Sequence, residues 1–308
     1  MSTPFEIESF EEYLKTVRDE LPKGRKYFRG QERLAVDRYP LKPSIGRFSH
    51  LEEKTPLDLE QLERHVLEVF KNHLVPHVAH IPRNDWEALA IAQHHGLPTR
   101  FMDWTTNPLA ALYFATRETH NDGAEKKPVN SAVYVLISDP PRYMDYRQAK
   151  EAAIKPIPDT FTKSTESKAD DAFSSFDIDE SEEEPTDNGT ETATIQADAV
   201  ISEPEEDVSR QVQPPVPSPF DITENVIYDP PHLSPRIRAQ DGILLTCFRP
   251  LRDLDEDDYL EIVIKHEAHE DIRKRLDQYG VFDKQLFPDL DGIAKWLKFR
   301  VFEIRESI

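Results

Sequence analysis

The segment QHHGLPTRFMDWTTNPLAALYFA, from Gln93 to Ala115, combines a dense group of polar side chains with an apolar helical pattern. It contains two adjacent histidines, an arginine, an aspartate, a tryptophan and an asparagine. An amphipathic run that Gly96 ends precedes these polar residues, and Asn107-Pro108 begins a new helix after them. The segment therefore predicts a polar loop between two buried helices, a position where binding and catalytic groups tend to lie.

Helices and strands on either side of this segment alternate without a regular repeat. Upstream, YFRGQ (27–31) is typical of a short strand that runs into a turn. Periodicity and cap signals predict helices over 8–21, from Thr55-Pro56, from Asn84 or Asp85 to Gly96, over 269–279 and over 288–297. Apolar runs predict strands over 131–137 and 259–265. A further strand is predicted within 236–248, where it follows a turn. The irregular order favours an α+β fold, with a mixed or antiparallel sheet and flanking helices.

An acidic stretch interrupts the chain. Residues 164–209 contain 16 Asp or Glu against one Lys, and so they account for 15 of the 21 net negative charges. Few large apolar side chains occur there, so the stretch cannot bury enough surface to offset the entropy of ordering. We therefore predict one large domain built from 1–140 and 223–308, interrupted over 141–222 by a disordered acidic and proline-rich insert.

Composition argues against several classes of protein. The rest of the chain has a net charge of about −6, which argues against broad binding of duplex DNA. The single cysteine, Cys247, excludes a disulfide framework. No apolar run approaches the roughly 18 residues of a membrane span, so we expect a cytoplasmic protein without membrane attachment. We also expect no metal site, because His65, His73, His77 and His80 form no tight ligand pair.

Arg29 and the two adjacent histidines each have a structural and a ligand-binding interpretation. A guanidinium beside glycine at a strand end suits a phosphate or carboxylate, but it could also pair with Asp103 and lock two loops together. His94 and His95 diverge by about 100° around a helix, so at most one of them can face a given site. The alternative is one histidine in the core and the other at the helix C-terminus, where a cation is favoured.

Other residues of the central segment have similar alternatives. The spacing of Arg100 and Asp103 suits mutual pairing, and Trp104 could stack on a planar ring or fill the core. Cys247 is a poor candidate nucleophile because its apolar surroundings raise a thiol pKa. No Walker loop, GxGxxG, GxSxG or CxxC motif is present.

Four blocks together resemble the FRG domain, a family named for its Phe-Arg-Gly motif. In chain order they are YFRGQ, PSIGR, LAIAQHHGLPTRFMDWTTNPLAALYFA and RIRAQDGILL. The resemblance extends from about 8 to 300 apart from the insert, and it implies a cytosolic α+β domain of a family found largely in bacteria and their viruses. The residues on matching motif positions are Arg29, Gln31, His94, His95, Arg100, Asp103, Trp104, Asn107 and Gln240.

A second similarity links these blocks to the NAD-binding half of ADP-ribosyltransferases. An aromatic-Arg-Gly strand end, a Thr-Thr segment and an Ala-rich helix with YFA look like that pattern. The similarity implies NAD as the cofactor, with an arginine on the NAD phosphates or ribose. The sequence departs from the pattern at the catalytic glutamate, for which Gln240-Asp241-Gly242 is the nearest substitute.

The first functional hypothesis is an NAD-type nucleotide-binding domain with associated ADP-ribosyl transfer, in bacterial stress or phage defence. Its predicted ligand-binding residues are Arg29, Gln31, His94, Arg100, Asp103, Trp104, Asn107 and Tyr113, and its predicted catalytic residues are His95, Gln240 and Asp241. Within this set Arg29 would neutralise the pyrophosphate, one histidine would bind a ribose, Trp104 or Tyr113 would stack on the ring, and Gln240 or Asp241 would orient the acceptor. Arg29, one histidine, Asp103 and Gln240 would line one pocket.

The second hypothesis is a non-catalytic binding module. In it the same residues form a structural clasp, and the acidic insert engages a basic partner. A hydrolase or nuclease that uses the histidines and Asp103 is a third hypothesis. The sequence leaves open whether the chain is an enzyme, and it names no acceptor and no protein or RNA partner.

Overall fold

A seven-stranded sheet in the order β1-β7-β4-β2-β3-β6-β5 forms the centre of the fold. The strands are β1 (Phe5–Ile7), β2 (Tyr27–Gln31), β3 (Phe101–Thr105), β4 (Ser131–Leu136), β5 (Val226–Tyr228), β6 (Gly242–Thr246) and β7 (Tyr259–Ile264). Strand β1 runs parallel to β7, and every other neighbouring pair is antiparallel. The prediction of an α+β fold with a mixed sheet is therefore confirmed.

The computed structural model of the chain describes residues 4–37, 39–78, 81–117, 129–153, 217–231 and 235–303. Most of the predicted insert, 154–216, lies outside the described residues. The two ends of the insert are described, and both belong to the folded unit. Residues 143–153 form a helix, and Phe220 and Ile222 are buried in a core cluster with Trp86.

Nine α-helices are assigned among the described residues, and local cap signals explain where several of them begin. They are α1 (Phe10–Lys15), α2 (Pro56–Leu74), α3 (Asp85–His94), α4 (Pro108–Thr116), α5 (Tyr143–Ala153), α6 (Pro235–Ala239), α7 (His269–Gln278), α8 (Asp283–Leu286) and α9 (Leu290–Leu297). The side chains of Ser9, Thr55, Asn84 and Asn107 accept N–H hydrogen bonds in the first turns of α1 to α4. Gly96, with φ at +85°, follows the C-terminus of α3 as predicted.

The prediction of a loop through the middle of the central segment was wrong for β3. Strand β3 pairs with β6 along its whole length, from Phe101 opposite Thr246 to Thr105 opposite Gly242. Its residues are buried on both faces except Asp103, so the sequence lacks the polar–apolar alternation that identifies a half-buried strand. The polar residues around β3 therefore gave a sequence pattern typical of a loop, although Phe101–Thr105 is a strand of the sheet.

Three apolar clusters surround the sheet. The first packs α1, α4 and α7 on one face of strands β1, β7, β4 and β2, and includes Phe28. The second packs α3 and α5 against β3, β5 and β6, and includes Phe101. The third cluster lies on the other face of the sheet and contains the alternate side chains of the same strands, among them Tyr27, Met102 and Tyr134. The first two clusters thus lie on either side of the boundary between β2 and β3. No helix among the described residues is long and apolar enough to cross a membrane.

Candidate functional site

The sheet splits between β2 and β3. Among the described residues these strands pair only at Phe28 opposite Thr105 and then part. On their outer sides, β2 stays paired with β4 and β3 stays paired with β6 along the whole strand. A cavity of about 370 Å³ lies at the split. We call this cavity the central cleft. Residues from β2, α3, β3, the end of α4 and α6 border it, including Arg29, Gln31, His94, Asp103, Trp104 and Gln240.

Arg29 bridges the split. Its Nη1 donates a hydrogen bond of 2.6 Å to the main-chain oxygen of Asp103, and its Nε donates one of 3.2 Å to Oε1 of Gln31. Gln31 is itself buried, and its Nε2 donates to the main-chain oxygen of Tyr39 at 3.1 Å. Burial lowers the pKa of the Arg29 guanidinium, and the negative charge of Asp103 acts in the opposite direction. The guanidinium nevertheless stays charged at neutral pH.

The contact between Arg29 and Asp103 differs from the predicted ion pair. Among the described residues Arg29 makes no salt bridge with a carboxylate, and the atom that it contacts on Asp103 belongs to the main chain. If the pairing of β2 with β3 continued beyond Phe28 and Thr105, Gly30 would lie opposite Asp103. The Arg29 guanidinium therefore bonds to β3 at the point where the hydrogen bonds between the two strands stop.

Gly30 is required by the helix behind it. A Cβ at this position would lie 1.9 Å from the main-chain oxygen of Ala111 and 2.7 Å from the main-chain nitrogen of Ala115. Helix α4 therefore packs directly on the backbone of β2, which explains both the glycine and the small residues of α4. The close approach at Gly30 is therefore made by the backbone of α4.

A chain of hydrogen bonds fixes the Asp103 carboxylate. Thr99 Oγ1 donates to Gln93 Oε1 at 2.6 Å, and Gln93 Nε2 donates to Asp103 Oδ2 at 3.1 Å. Thr99 is held by the PSIGR block, because its N–H donates to Ser44 Oγ at 3.0 Å and its carbonyl accepts from the N–H of Ile45 at 3.2 Å. The sequence reasoning missed Gln93, although its place at the start of the central segment is a usable signal.

The two histidines diverge as expected. His94 is half-buried and borders the central cleft, whereas His95 is the exposed C-cap residue of α3 and does not border it. Burial lowers the pKa of His94, and the positive charges of His95 and Arg236 act in the same direction, while Asp103 opposes them. His94 therefore presents a neutral imidazole to the cleft at pH 7.

Two further arginines border the central cleft, and the sequence reasoning identified neither. Arg117 Nε lies 3.1 Å from Glu32 Oε1, and Arg236 Nη2 lies 2.5 Å from Asp289 Oδ2. Both guanidinium groups also lie over the ring of Phe287, at 6.0 and 5.4 Å from its centroid. Each of these cations is thus held by a carboxylate and an aromatic ring.

The C-terminal segment, 223–308, reaches the cleft through Gln240. Thr105 Oγ1 donates to its main-chain oxygen at 2.6 Å, and its own Nε2 donates to the main-chain oxygen of Leu286 at 3.0 Å. Asp241 does not border the central cleft, and its φ of 47° places it in the left-handed region that suits a turn aspartate. Asn107 also lies outside the cleft lining, where Oδ1 caps α4 and Nδ2 lies 3.4 Å from Asp241 Oδ2.

Arg100 lies in the core rather than in the cleft. It forms a bidentate ion pair with Glu63 of α2, and both side chains are almost fully buried. Its Nη1 also donates to the main-chain oxygen of Pro219 at 3.1 Å, and its guanidinium lies 5.0 Å from the Phe220 ring centroid. The predicted pairing of Arg100 with Asp103 is therefore replaced by a link between β3, α2 and residues 217–222.

The two predicted stacking residues are also buried. Trp104 borders the cleft but is 2% exposed and packs in the third cluster, and its indole N–H has no partner among the described residues. Tyr113 packs in the first cluster, where burial raises the pKa of its hydroxyl. Burial likewise raises the pKa of the Cys247 thiol to about 12, as its apolar surroundings predict. No group of three or more metal-ligating side chains occurs among the described residues, and His80 is not one of these residues.

Comparisons with known proteins identify the first three sequence blocks. Residues 24–124 match the family model of the FRG domain. The matched range includes Arg29, His94 and Asp103, and it ends before the RIRAQDGILL block. No curated protein and no solved structure matches the chain. The chain therefore contains an FRG domain, over residues 24–124.

Proposed function

We propose that the central cleft binds an NAD-type nucleotide, with Arg29 as the group that contacts its phosphates. The observation that carries the proposal is the position of the Arg29 guanidinium at the split. Hydrogen bonds from Nε and Nη1 fix its plane, while Nη2 makes no hydrogen bond among the described residues. A guanidinium has five N–H donors, so a fixed group with free donors suits bidentate binding of a phosphate.

The size and charge of the central cleft support the same class of ligand. Its volume of about 370 Å³ lies in the range of small-molecule sites. Arg117 and Arg236 are already paired with Glu32 and Asp289. Of the three arginines that border the cleft, Arg29 is the one that makes no ion pair with a carboxylate within the described part of the chain. A ligand phosphate would supply the negative charge that this guanidinium lacks.

The remaining bordering groups fit the other parts of a nucleotide. The neutral imidazole of His94 is suited to a ribose hydroxyl, because it can donate or accept a hydrogen bond without a charge. Tyr39, Phe114 and Phe287 border the cleft and offer the ring contact that the sequence assigned to Trp104 or Tyr113. The buried positions of Trp104 and Tyr113 favour this reassignment.

ADP-ribosyl transfer is the reaction that NAD would support in this cleft. It would break the bond between nicotinamide and ribose and join the ribose carbon to an acceptor. The second candidate function is nucleotide binding without catalysis, and a specific observation favours it. Gln240 Nε2 donates a hydrogen bond to the main-chain oxygen of Leu286, and Asp241 lies outside the cleft lining, so this pair places no carboxylate beside a bound ligand.

Calorimetric titration of NAD into the full chain tests the binding proposal. Wild-type protein should bind NAD, and Arg29→Ala should weaken binding by about 1.5–3 kcal/mol, the usual scale for a hydrogen bond to a charged group. Arg29→Lys should restore little, because an ammonium cannot replace the planar fork. Arg252→Ala is the matched control, since Arg252 is exposed and does not border the cleft. Equal affinity in the Arg29→Ala and Arg252→Ala variants would contradict the proposal.

Release of nicotinamide distinguishes the two candidate functions. The protein is incubated with NAD, and free nicotinamide is measured by chromatography. Release that depends on Arg29 supports transfer or hydrolysis of NAD. Binding without release supports a nucleotide-binding module.

A further inference from the structure

We propose that Asp103 selects the ligand by accepting hydrogen bonds from the vicinal hydroxyls of a ribose. The central cleft would then prefer a nucleotide whose 2′ and 3′ hydroxyls are both free. This inference rests on the proposed nucleotide binding and adds the chemical feature that the cleft recognises beside the phosphate.

Asp103 is held in place from outside the cleft. Its Oδ2 accepts from Gln93, and Gln93 in turn accepts from Thr99, which is 1% exposed. A buried threonine thus fixes an amide, and the amide orients a carboxylate. An exposed carboxylate that serves only solubility does not need a support of this kind.

The Asp103 carboxylate is not paired with the guanidinium of Arg29. Arg29 contacts the main-chain oxygen of Asp103 and makes no salt bridge with its side chain. Asp103 Oδ1 has no hydrogen-bond partner among the described residues, so it can still accept from a ligand. A charge-balancing role for Asp103 would instead bring the guanidinium and the carboxylate together.

The chemical groups of a nucleotide suit both side chains. An ionised carboxylate only accepts hydrogen bonds, so it repels a phosphate and suits a pair of hydroxyls. In a nucleotide the sugar hydroxyls lie next to the phosphate. A cleft bordered by a guanidinium from β2 and a fixed carboxylate from β3 therefore matches both parts of one nucleotide.

Calorimetry with three ligands tests the inference. The ligands are NAD and its two 2′-deoxy analogues, one altered on the adenosine ribose and one on the nicotinamide ribose. One analogue should bind wild-type protein roughly ten-fold more weakly than NAD, and this identifies which ribose Asp103 contacts. Asp103→Asn should weaken NAD by a similar factor and should weaken that analogue less, because the analogue offers Asp103 only its 3′ hydroxyl. Asp257→Asn, a change of an exposed carboxylate outside the cleft lining, should leave all three affinities unchanged.

The role of Gln93 as a positioning residue is tested with the same ligands. Gln93→Leu removes the donor to Asp103, so it should reduce the preference for NAD over the weaker analogue. In the double variant with Asp103→Asn it should cause no further loss of preference. Denaturant unfolding of each variant shows whether a loss of stability accompanies the change, and a loss of stability alone would not alter the ratio of the two affinities.

The results also separate this inference from the proposed function. If NAD does not bind wild-type protein, both are wrong. If NAD and both analogues bind equally well, nucleotide binding stands and the role of Asp103 is wrong. If Asp103→Asn tightens all three ligands equally, Asp103 only repels phosphate, and the inference is again overturned.

Discussion

Arg29 on β2 donates a 2.6 Å hydrogen bond to the main-chain oxygen of Asp103 on β3, across the point where the two strands part. The arginine therefore serves the fold and faces the central cleft at once. Its contact with Asp103 does not depend on the identity of the aspartate side chain. The side chain of Arg29 therefore links the two strands, whereas the side chain of Asp103 takes no part in that link.

The stability of single variants should reflect this difference. Arg29→Ala leaves the main-chain oxygen of Asp103 and the partly buried Oε1 of Gln31 without their donor, so it should lower the free energy of unfolding by about 1–3 kcal/mol. Asp103→Ala keeps the main-chain oxygen and should change stability by less than about 0.5 kcal/mol. Denaturant unfolding measures both. Equal losses in the two variants, with no added loss in the double variant, would indicate a side-chain ion pair instead.

Breaking the buried ion pair between Arg100 and Glu63 should cost much stability without acting directly on ligand binding. Arg100→Met leaves Glu63 as a buried charge without its partner, so unfolding should become about 3–5 kcal/mol easier. Arg64→Met is the control, because its ion pair with Asp221 is largely exposed and should cost about 1 kcal/mol or less. Chemical denaturation of both variants checks the prediction. A small loss in Arg100→Met would contradict the buried geometry.

Gly30 should tolerate no side chain. In Gly30→Ala the new Cβ would meet the main-chain atoms of Ala111 and Ala115, which cannot move without displacing α4 from the sheet. The loss of stability should exceed the roughly 1–3 kcal/mol that is usual for an overpacked core. In Gly242→Ala the nearest atom, the main-chain oxygen of Ile237, lies at 3.3 Å, so this control should lose much less. Thermal melts that rank the two variants in the opposite order would contradict the packing of α4.

Stability should also fall as the pH is lowered, through His269. Burial, together with the neighbouring His266, lowers the pKa of His269 to about 4 from an ordinary value of 6.5. Below pH 6.5 the unfolded chain binds a proton that the folded chain does not. The stabilisation is therefore complete above pH 6.5 and is lost as the pH falls towards 4, by roughly 3 kcal/mol in all.

The His269→Gln variant isolates this effect. It lacks the titrating ring, so its free energy of unfolding should depend less steeply on pH between about 5 and 7 than that of wild-type protein. Carboxylate titrations are common to both proteins and cancel in the difference. Parallel curves for the two proteins in urea unfolding would show that His269 is not held neutral by its burial beside Ser131.

Local signals account for what the sequence predicted well. Thr55, Asn84 and Asn107 cap helices through side chains that contact the next few residues, so their effect is readable without knowledge of the fold. The buried strand β4 was equally recognisable, because its six residues form a continuous β-forming apolar run.

Features that depend on distant partners were not readable. Strand β3 is defined by pairing with β6, which follows much later in the chain, and β1 and β5 have only three residues each. The partner of Arg100 lies on α2 and that of Arg236 lies at Asp289, both far away in sequence. The predicted meeting of Arg29, one histidine, Asp103 and Gln240 at one cavity is observed.

A crystal structure of the protein soaked with NAD tests the central claim most directly. We expect electron density for the ligand in the central cleft, with a phosphate oxygen about 3 Å from the guanidinium of Arg29. Density for NAD elsewhere on the protein, with Arg29 bonded only to Gln31 and Asp103, would contradict it.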